Sequence, residues 1–357
     1  MTNFSDVFEG KTVLITGHSG FKGSWLSIWL NSLGANVIGV SNMKYGPKTI
    51  YGASNIGDKI DEYFFDVSDL VGLKNIVELK RPDFIFHLAA QALVRESYLN
   101  PIETFKTNSY GSINILESIK DFDKKCIVVM ITSDKSYDNL EWVWGYRESD
   151  RLGGKDPYSA SKGMAEIAIR SYFESFLKIN DNLRLGIARA GNVIGGGDWA
   201  KDRIVPDCIK AWSKRKPIRI RSPHATRPWQ FVLEPLGGYL TLALNLYESS
   251  DLNGEAFNFG PSDLNQYTVS ALIEKMTEYW PESRWIDDSD KSDVMHEAGL
   301  LKLNCDKALY HLTWEARYNF ENTVQETMEW YKALYESDRN FMYEFSLDQI
   351  IKYTNSK

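Results

Sequence analysis

Tyr158 and Lys162 lie four residues apart, and this spacing could support proton transfer at a hydroxyl group. Residues at i and i+4 share one face of a helix. A lysine ammonium close to a phenol stabilises the phenolate, which can take a proton from an alcohol while the alcohol carbon gives up a hydride. A Tyr-x-x-x-Lys pattern is common by chance. The pattern therefore counts as evidence for such a site only if the same chain can hold a hydride acceptor.

Three glycines with the spacing Gly-x-x-Gly-x-x-Gly, namely Gly17, Gly20 and Gly23, supply that second feature. They follow the β-rich run 11–16 and open a helical pattern over 20–33. Such a turn lets the backbone approach a pyrophosphate, and the helix N-terminus offers free N–H groups and a positive dipole end to the anion. The sequence therefore predicts a dinucleotide-binding loop after the first strand.

The expected dinucleotide is NAD. The second strand ends in Val40-Ser-Asn42 without the acidic residue that would bind the ribose hydroxyls, but Lys44 alone is a poor match for a 2′-phosphate. Asp66 is a candidate partner for the adenine amino group, and its alternative role is the N-cap of the next helix. The expected cofactor contacts are Gly17, Ser19, Gly20, Phe21, Gly23, Asp66, Val67, Leu88, Ala89, Ala90, Tyr158 and Lys162.

Short apolar runs alternate with longer helical patterns through the first half of the chain. Because the runs are continuously apolar, they are typical of a parallel sheet that is covered on both faces. The pattern predicts an α/β fold with a doubly wound parallel Rossmann-type sheet and a smaller, interleaved C-terminal substrate domain. We expect strands at 11–16, 36–41, 62–67, 84–88, 127–132 and 183–189, and helices at 20–33, 69–80, 100–120 and 157–179.

The composition of the sequence changes after about residue 190, where glycine and proline become frequent. The stretch through Asn258-Phe-Gly is expected to return to the sheet. We therefore assign residues 1–190 plus about 234–262 to an NAD-binding domain. A nucleotide-sugar-binding domain would comprise about 191–233 plus 263–320, and a helical C-terminal extension would comprise 321–357.

Composition excludes several classes of function. The 357 residues carry a net charge of −7, which argues against nucleic-acid binding. We find no apolar stretch long enough for a membrane span and no signal-peptide pattern near the N-terminus. The three cysteines, Cys126, Cys208 and Cys305, are widely spaced and suggest reduced thiols in a cytoplasmic protein. We expect no metal site.

The segment Thr132-Ser-Asp-Lys135, at the end of the fifth strand, carries a family resemblance. The chain resembles the extended short-chain dehydrogenases over roughly residues 10–320, and among them the nucleotide-sugar 4,6-dehydratases. The resemblance implies that Ser133 helps Tyr158 to polarise the substrate oxygen and that Asp134 protonates the departing 6-hydroxyl. Lys135 occupies the position of the family's glutamate base. The alternative is that Lys135 only pairs with Asp134.

A lysine at that position is similar to the CDP-glucose branch of the family. Further stretches carry the same resemblance, namely 17–25, Tyr137-Asp-Asn, 141–150, 190–199 and Arg227-Pro-Trp-Gln. The implied reaction converts CDP-glucose to CDP-4-keto-6-deoxyglucose and water with catalytic NAD. It would belong to deoxysugar and lipopolysaccharide O-antigen biosynthesis. Alternatives are a dehydratase for another nucleotide-hexose, a nucleotide-sugar 4-epimerase, and a binding protein without catalysis, which the presence of both Tyr158 and Lys162 disfavours.

Substrate binding requires groups that suit a diphosphate. The resemblance points to Asn192, and forked guanidinium geometry makes Arg227 and Arg203 further candidates. His296 is a fourth candidate, with a surface or capping role as the alternative. The helices predicted at 100–120 and 157–179 resemble those that build the family's dimer, so we expect a homodimer or homotetramer.

Overall fold

Parallel strands form the centre of the fold in a computed structural model of the chain, which describes residues 4–261, 267–281, 283–289, 300–336 and 341–356. The strands of these residues are β1 (Thr12–Thr16), β2 (Asn36–Ser41), β3 (Asp61–Phe64), β4 (Phe84–His87), β5 (Cys126–Ile131), β6 (Leu183–Ala190), β7 (Val193–Ile194), β8 (Ile218–Ile220), β9 (Thr226–Arg227), β10 (Gln230–Phe231), β11 (Ala256–Phe259), β12 (Tyr267–Thr268) and β13 (Trp285–Asp287). Seven of them make one sheet in the order β11-β6-β5-β4-β1-β2-β3, and every pairing in it is parallel. The predicted Rossmann-type sheet is confirmed.

Helices cover both faces of this sheet. They are α1 (Ser5–Phe8), α2 (Phe21–Ser32), α3 (Ile50–Ser54), α4 (Leu70–Lys80), α5 (Val94–Leu99), α6 (Pro101–Phe105), α7 (Gly111–Ile119), α8 (Pro157–Tyr172), α9 (Ile204–Trp212), α10 (Leu233–Glu248), α11 (Val269–Thr277), α12 (Asp306–Leu312), α13 (Phe320–Glu336) and α14 (Met342–Asn355). Alternate residues of β1 show the two layers, because Val13 and Ile15 pack with α2 and α10 while Leu14 packs with α4, α7 and α8. Both layers are therefore apolar cores.

The two long helices predicted in the middle of the chain are interrupted. The first, expected over 100–120, consists of α6, a π-helical turn at Lys106–Tyr110, and α7. Asn108 in that turn accepts a hydrogen bond from the backbone of Gln91 at 2.8 Å and donates one to Ser161 at 2.9 Å. The π-turn therefore aims a polar side chain inward at α8, a use that such turns often have. The second helix, α8, ends at Tyr172 and continues as a π-turn at Phe173–Leu177.

The start of α8 follows from its sequence. Asp156 accepts a hydrogen bond from the Ser159 backbone N–H at 3.0 Å, and Pro157 occupies the first helical position. An aspartate N-cap and a proline at this position both favour helix initiation. Tyr158 consequently stands in the first turn, and Lys162 stands one turn later on the same face.

The C-terminal helices pack against the glycine-rich segment that follows β6. A Cβ atom on Gly196 would lie 2.0 Å from the Trp330 ring of α13. Gly197 has a φ of +80°, and its carbonyl accepts a hydrogen bond from Ile50 at 3.1 Å. Trp29 of α2 meets Tyr353 of α14 edge to face, with ring centroids 5.8 Å apart. The glycines are therefore required by close packing as well as by backbone conformation.

Within the described ranges, no helix has both the length and the apolar character that a membrane crossing requires. The three cysteines are free thiols, and burial raises the pKa of each of them. The same ranges contain no cluster of three or more potential metal-ligating side chains.

Candidate active site

The glycine loop lies where β1 ends and α2 begins. Gly17 has a φ of +78°, and a Cβ atom there would lie 2.8 Å from the Ala89 nitrogen. A Cβ atom on Gly23 would lie 2.0 Å from the Gly17 carbonyl oxygen. The Gly20 N–H bonds to the same oxygen at 3.0 Å. The turn is therefore too tight for side chains at two of its three glycines.

The loop is also held from the neighbouring strands. Ser19 donates its hydroxyl to the Met43 carbonyl at 2.7 Å, and the Ser41 hydroxyl accepts from the Ser19 N–H at 3.2 Å. Ala89 donates its N–H to the Thr16 hydroxyl at 3.3 Å. The segment 88–90 therefore runs alongside the glycine turn. A glycine turn at a helix N-terminus, where no side chains cover the backbone, fits a dinucleotide pyrophosphate. This part of the structure therefore suits the predicted cofactor.

We expect Gly23→Ala to weaken dinucleotide binding by at least about tenfold, which is roughly 1.4 kcal/mol. The methyl group would overlap the Gly17 carbonyl and push α2 away from the turn. Titration calorimetry with NAD measures the affinity. Gly46→Ala is the matched control, because Gly46 has open space around its Cβ position. Equal affinities for the two variants would contradict the assigned role of the turn.

Asp66 and Val67 lie near the end of β3. The Asp66 carboxylate accepts a hydrogen bond from the Ser68 N–H at 2.8 Å. The N-cap of α4 is Asp69, which accepts from the Gly72 N–H at 3.0 Å. The alternative assignment of Asp66 as the helix N-cap is therefore wrong, and its role towards adenine stays a prediction.

The catalytic turn follows β5 and places Ser133 between two acid–base groups. The Ser133 hydroxyl donates to the Asp134 carboxylate at 2.9 Å and accepts from the Lys135 N–H at 3.2 Å. It also lies beside the Tyr158 phenol, where it opposes the rise in the pKa of that phenol that burial causes. A Cβ atom on Gly191, after β6, would lie 2.0 Å from the Asp134 carboxylate. Glycine at this position therefore makes room for the buried aspartate.

Lys135 is partly buried beside this turn. Within the described residues its ammonium forms no ion pair with Asp134, so the alternative of a simple Lys135–Asp134 pair is wrong. Asp134 instead takes its hydrogen bond from Ser133.

Tyr158 and Lys162 are both buried on α8. Burial raises the pKa of Tyr158, while the neighbouring Ser133 opposes this change. Burial lowers the pKa of Lys162 to about 8, while the charge of Glu166 opposes this change. Lys162 is therefore a cation at neutral pH that loses its proton only slightly above it.

This pKa predicts a pH limit. We expect the rate of alcohol oxidation to fall as the pH rises through about 8, because the ammonium that stabilises the phenolate is present only below the pKa of Lys162. Rapid-mixing measurements of reduced-nicotinamide absorbance across pH would show the fall. Lys162→Arg keeps its charge throughout and should shift the fall to higher pH. A wild-type rate that stays constant well above this pH would contradict the assignment.

Lys22 and Tyr239 are site residues that sequence reasoning missed. Lys22 belongs to the glycine loop, and its ammonium donates to the Tyr239 hydroxyl at 3.3 Å. Burial lowers the pKa of Lys22 to about 7, and the charges of Arg203 and Lys162 act in the same direction. The loop motif Gly-Phe-Lys-Gly carried a signal, since a lysine there must extend from the pyrophosphate turn. The structure extends it towards the catalytic groups.

The histidine near Lys162, His87, is uncharged. His87, at the end of β4, is fully enclosed, and burial lowers its pKa to about 3, with Lys162 acting in the same direction. Its ring nitrogens lie 2.8 Å from the Thr16 hydroxyl and 3.3 Å from the Ser112 hydroxyl. An uncharged imidazole therefore fixes the first strand against α7 without adding charge to the site.

The structure describes three of the four predicted substrate residues. Arg203 pairs with Asp198 at 2.8 Å and lies close enough to Tyr158 to oppose the rise in the pKa of the phenol that burial causes. Asn192 has a φ of +49°, and its carbonyl accepts from the Gln230 N–H at 3.2 Å, which links it to the strand after Arg227. Arg227 is half-buried on β9 and donates to the Thr226 carbonyl at 2.8 Å. His296 lies outside the described residues.

Three tryptophans, Trp142, Trp144 and Trp199, differ in exposure. Trp142 stacks on Tyr146 with ring centroids 5.0 Å apart, whereas Trp144 is 71% exposed. Trp199 packs edge to face on Tyr331 at 5.8 Å. Trp142 and Trp199 are therefore packing residues in this structure.

A parallel Rossmann-type sheet, a glycine turn and a Tyr–Lys helix face at the carboxyl ends of the strands together define a dinucleotide-binding enzyme of the extended short-chain dehydrogenase/reductase class. Residues 14–327 match the model of the GDP-mannose 4,6 dehydratase family, and the chain belongs to that family. The resemblance stated from the sequence is confirmed at this level.

Individual relatives agree with the family assignment. A CDP-glucose 4,6-dehydratase of Salmonella typhimurium is 43% identical over 331 residues, which cover 91% of this chain and 92% of that protein. A dTDP-glucose 4,6-dehydratase of Haemophilus influenzae is 25% identical over 347 residues, covering 89% and 97% respectively.

Solved structures share the fold. A UDP-glucose 4-epimerase of Thermotoga maritima, solved with UDP-glucose, superimposes with a TM-score of 0.77 at 23% identity, covering 91% of this chain and all of that one (100%). A dTDP-glucose 4,6-dehydratase of Bacillus anthracis, solved with NAD, gives a TM-score of 0.74 at 19% identity, covering 90% and 97%.

Proposed function

We propose that this chain is an NAD-dependent dehydratase that converts CDP-glucose to CDP-4-keto-6-deoxyglucose and water. The observation that carries the proposal is the position of Ser133, which bonds to the carboxylate of Asp134 and lies beside the phenol of Tyr158. One hydroxyl thereby joins an oxidising couple to a general acid. An epimerase or a simple reductase has no use for a second acid–base pair beside the first. The 43% identity to a CDP-glucose 4,6-dehydratase supports the choice of substrate.

The oxidation half of the reaction uses α8. Tyr158 removes the proton of the 4-hydroxyl, Ser133 holds the oxygen, and Lys162 stabilises the phenolate. When bound, NAD supplies a reversible two-electron acceptor and is regenerated in each cycle. The residues Gly17, Gly20 and Gly23 would hold its pyrophosphate, and the buried Tyr–Lys face would lie against its nicotinamide end.

The elimination half uses the turn after β5. A ketone at C4 acidifies the hydrogen at C5, so a base of modest strength can remove it. Lys135 takes that proton, and Asp134 gives a proton to the 6-hydroxyl as it leaves as water. The C4 ketone remains in the product, the hydride that left C4 is carried to C6, and a proton from Lys135, which exchanges with solvent, returns to C5.

Anion binding is the proposed role of the remaining cations. Arg203 lies near Tyr158 and Lys22, so the cleft contains several positive groups around the catalytic phenol. Asn192, Arg227 and His296 are proposed to complete the diphosphate site. The proposed division of the chain assigns 1–190 plus about 234–262 to NAD, about 191–233 plus 263–320 to the nucleotide sugar, and 321–357 to a helical extension. We also propose that the enzyme acts in the cytoplasm.

The direct test incubates the purified protein and NAD with CDP-, dTDP-, GDP- and UDP-glucose and follows each sugar by mass spectrometry. We expect loss of one water from CDP-glucose, with deuterium from the solvent at C5. An epimerised product of unchanged mass, without solvent deuterium at C5, would overturn the dehydratase assignment. Loss of water from a different nucleotide sugar would overturn only the choice of base.

We propose a homodimer through α6 and α8. Ile102 on α6 is 75% exposed and Ile167 on α8 is 60% exposed, and these two helices contact each other. Neighbouring exposed apolar side chains on two packed helices are typical of a helix-bundle interface. We expect Ile102→Asp with Ile167→Asp to give monomers by light scattering, while Leu79→Asp on α4 leaves the dimer intact. A monomeric wild-type protein would contradict the proposal.

A further inference from the structure

A buried carboxylate lies beneath the catalytic turn, at a position that the reaction itself does not use. Glu166 stands on α8 one turn after Lys162, and only 2% of it is exposed. A carboxylate at this depth must be paired and fully hydrogen-bonded to persist. Its partners therefore show what it holds together.

Thr132 and Arg189 are the main partners of Glu166. The Thr132 hydroxyl donates to Oε1 of Glu166 at 2.6 Å, and Nε of Arg189 donates to the two carboxylate oxygens at 2.8 and 2.9 Å. The Ser136 hydroxyl lies 3.0 Å from the same Oε1 and 2.7 Å from the Ser133 carbonyl, so these acceptors share its single proton. Thr132 and Ser136 are the residues that flank Ser133-Asp134-Lys135. One carboxylate consequently fixes both ends of the catalytic turn to the helix that carries Tyr158.

The geometry of the catalytic turn depends on this attachment. Thr132 continues the sheet, since its N–H bonds to the Ala188 carbonyl at 2.9 Å, and Ser133 is extended with a φ of −157°. Successive side chains of extended backbone point to opposite sides. The Thr132 side chain is directed towards Glu166, and the Ser133 side chain is directed towards Asp134. Loss of the Thr132 hydrogen bond therefore loosens the turn and, with it, the position of the Asp134 carboxylate, to which Ser133 donates.

The network continues away from the turn. Arg189 donates to the Tyr137 hydroxyl at 2.6 Å, and that hydroxyl donates to Asn258 on β11 at 2.8 Å. Glu166 also raises the pKa of Lys162 against the effect of burial. The carboxylate thus holds the two residues that flank the elimination pair and acts electrostatically on Lys162 of the oxidation pair.

We propose that Glu166 is a positioning residue. It holds the Asp134–Lys135 pair at a fixed position relative to the Tyr158–Lys162 pair, so that elimination follows oxidation before the keto-sugar departs. This inference rests on the proposed dehydratase function. It assigns no proton transfer to Glu166 itself. The predicted defect is therefore a change in the balance between two steps, whereas a general loss of structure would slow both.

The test uses Thr132→Val combined with Ser136→Ala, which removes the two hydroxyl anchors and leaves the Glu166–Arg189 ion pair in place. Single-turnover mixing with NAD and CDP-glucose follows the rise and the decay of reduced-nicotinamide absorbance. We expect the rise to stay within about threefold of the wild type, and the decay to slow by roughly 10- to 100-fold, as expected for a group displaced by about 1 Å. Thr132→Ser, with Ser136 intact, restores the hydroxyl and should restore the decay.

Thr327→Val is the control for a buried threonine hydroxyl, since Thr327 donates to the Thr323 carbonyl within α13. It should leave rise and decay unchanged. Equal slowing of rise and decay in the double variant, or no slowing of either, would overturn the positioning role. If the double variant does not fold, Thr132→Val and Ser136→Ala alone give the same two rates. A wild type without any rise in absorbance would instead count against the proposed function.

Discussion

Replacing Tyr158 by phenylalanine is expected to slow turnover of CDP-glucose by roughly 10²- to 10⁴-fold, the usual contribution of a general acid–base group. Phenylalanine keeps the ring that packs at the start of α8 and removes the hydroxyl that lies beside Ser133. The chain should still fold, because the packing of the ring is kept. The measurement is the rate of reduced-nicotinamide formation in a single turnover, with NAD affinity measured in parallel.

Tyr172→Phe is the matched control, because Tyr172 is on the same helix and its hydroxyl lies 3.4 Å from Glu117, away from the cleft. Its turnover should match that of the wild type. If Tyr158→Phe oxidised the sugar at the wild-type rate, another group would have to be the base, and the assignment of α8 as the oxidation face would fail.

The second large effect concerns Lys135. We expect Lys135→Met to retain oxidation at C4 and to slow elimination by about 10²- to 10⁴-fold, because a thioether cannot take the C5 proton. Methionine keeps the aliphatic stem of this partly buried side chain, and the substitution breaks no ion pair with Asp134. The signature is a reduced-nicotinamide absorbance that rises normally and then persists, together with a product that retains its 6-hydroxyl.

Lys155→Met, at an exposed lysine before α8, controls for the loss of one positive charge near the site. It should dehydrate CDP-glucose normally. Unchanged turnover of Lys135→Met would remove the lysine from the mechanism, and the base for C5 would then have to be sought among the other groups that face the cleft, with Lys22 as the first to examine.

Much of the fold could be predicted from the sequence because its signals are local. The apolar runs predicted at 11–16, 36–41, 84–88, 127–132 and 183–189 match β1, β2, β4, β5 and β6 to within about one residue, a closer match than boundaries usually give. The strand predicted at 62–67 is displaced, since β3 covers Asp61–Phe64. The continuous helices expected over 100–120 and 157–179 were wrong in detail, because π-turns interrupt or end them. A π-turn depends on inward contacts such as that of Asn108 with Ser161, and the sequence periodicity does not record those.

The sequence by itself determined the glycine turn, the Tyr158–Lys162 face and the apolar runs that form the strands. Each of these depends on residues that are close together in the chain. Only the tertiary structure decided that Glu166 anchors Thr132, that Gly191 makes room for Asp134, and that Lys22 extends to Tyr239. These pairs are separated by 34, 57 and 217 positions in the chain. The reason is physical, since the direction of a side chain at such a distance is set by packing between elements, and no local pattern of residue types carries that information.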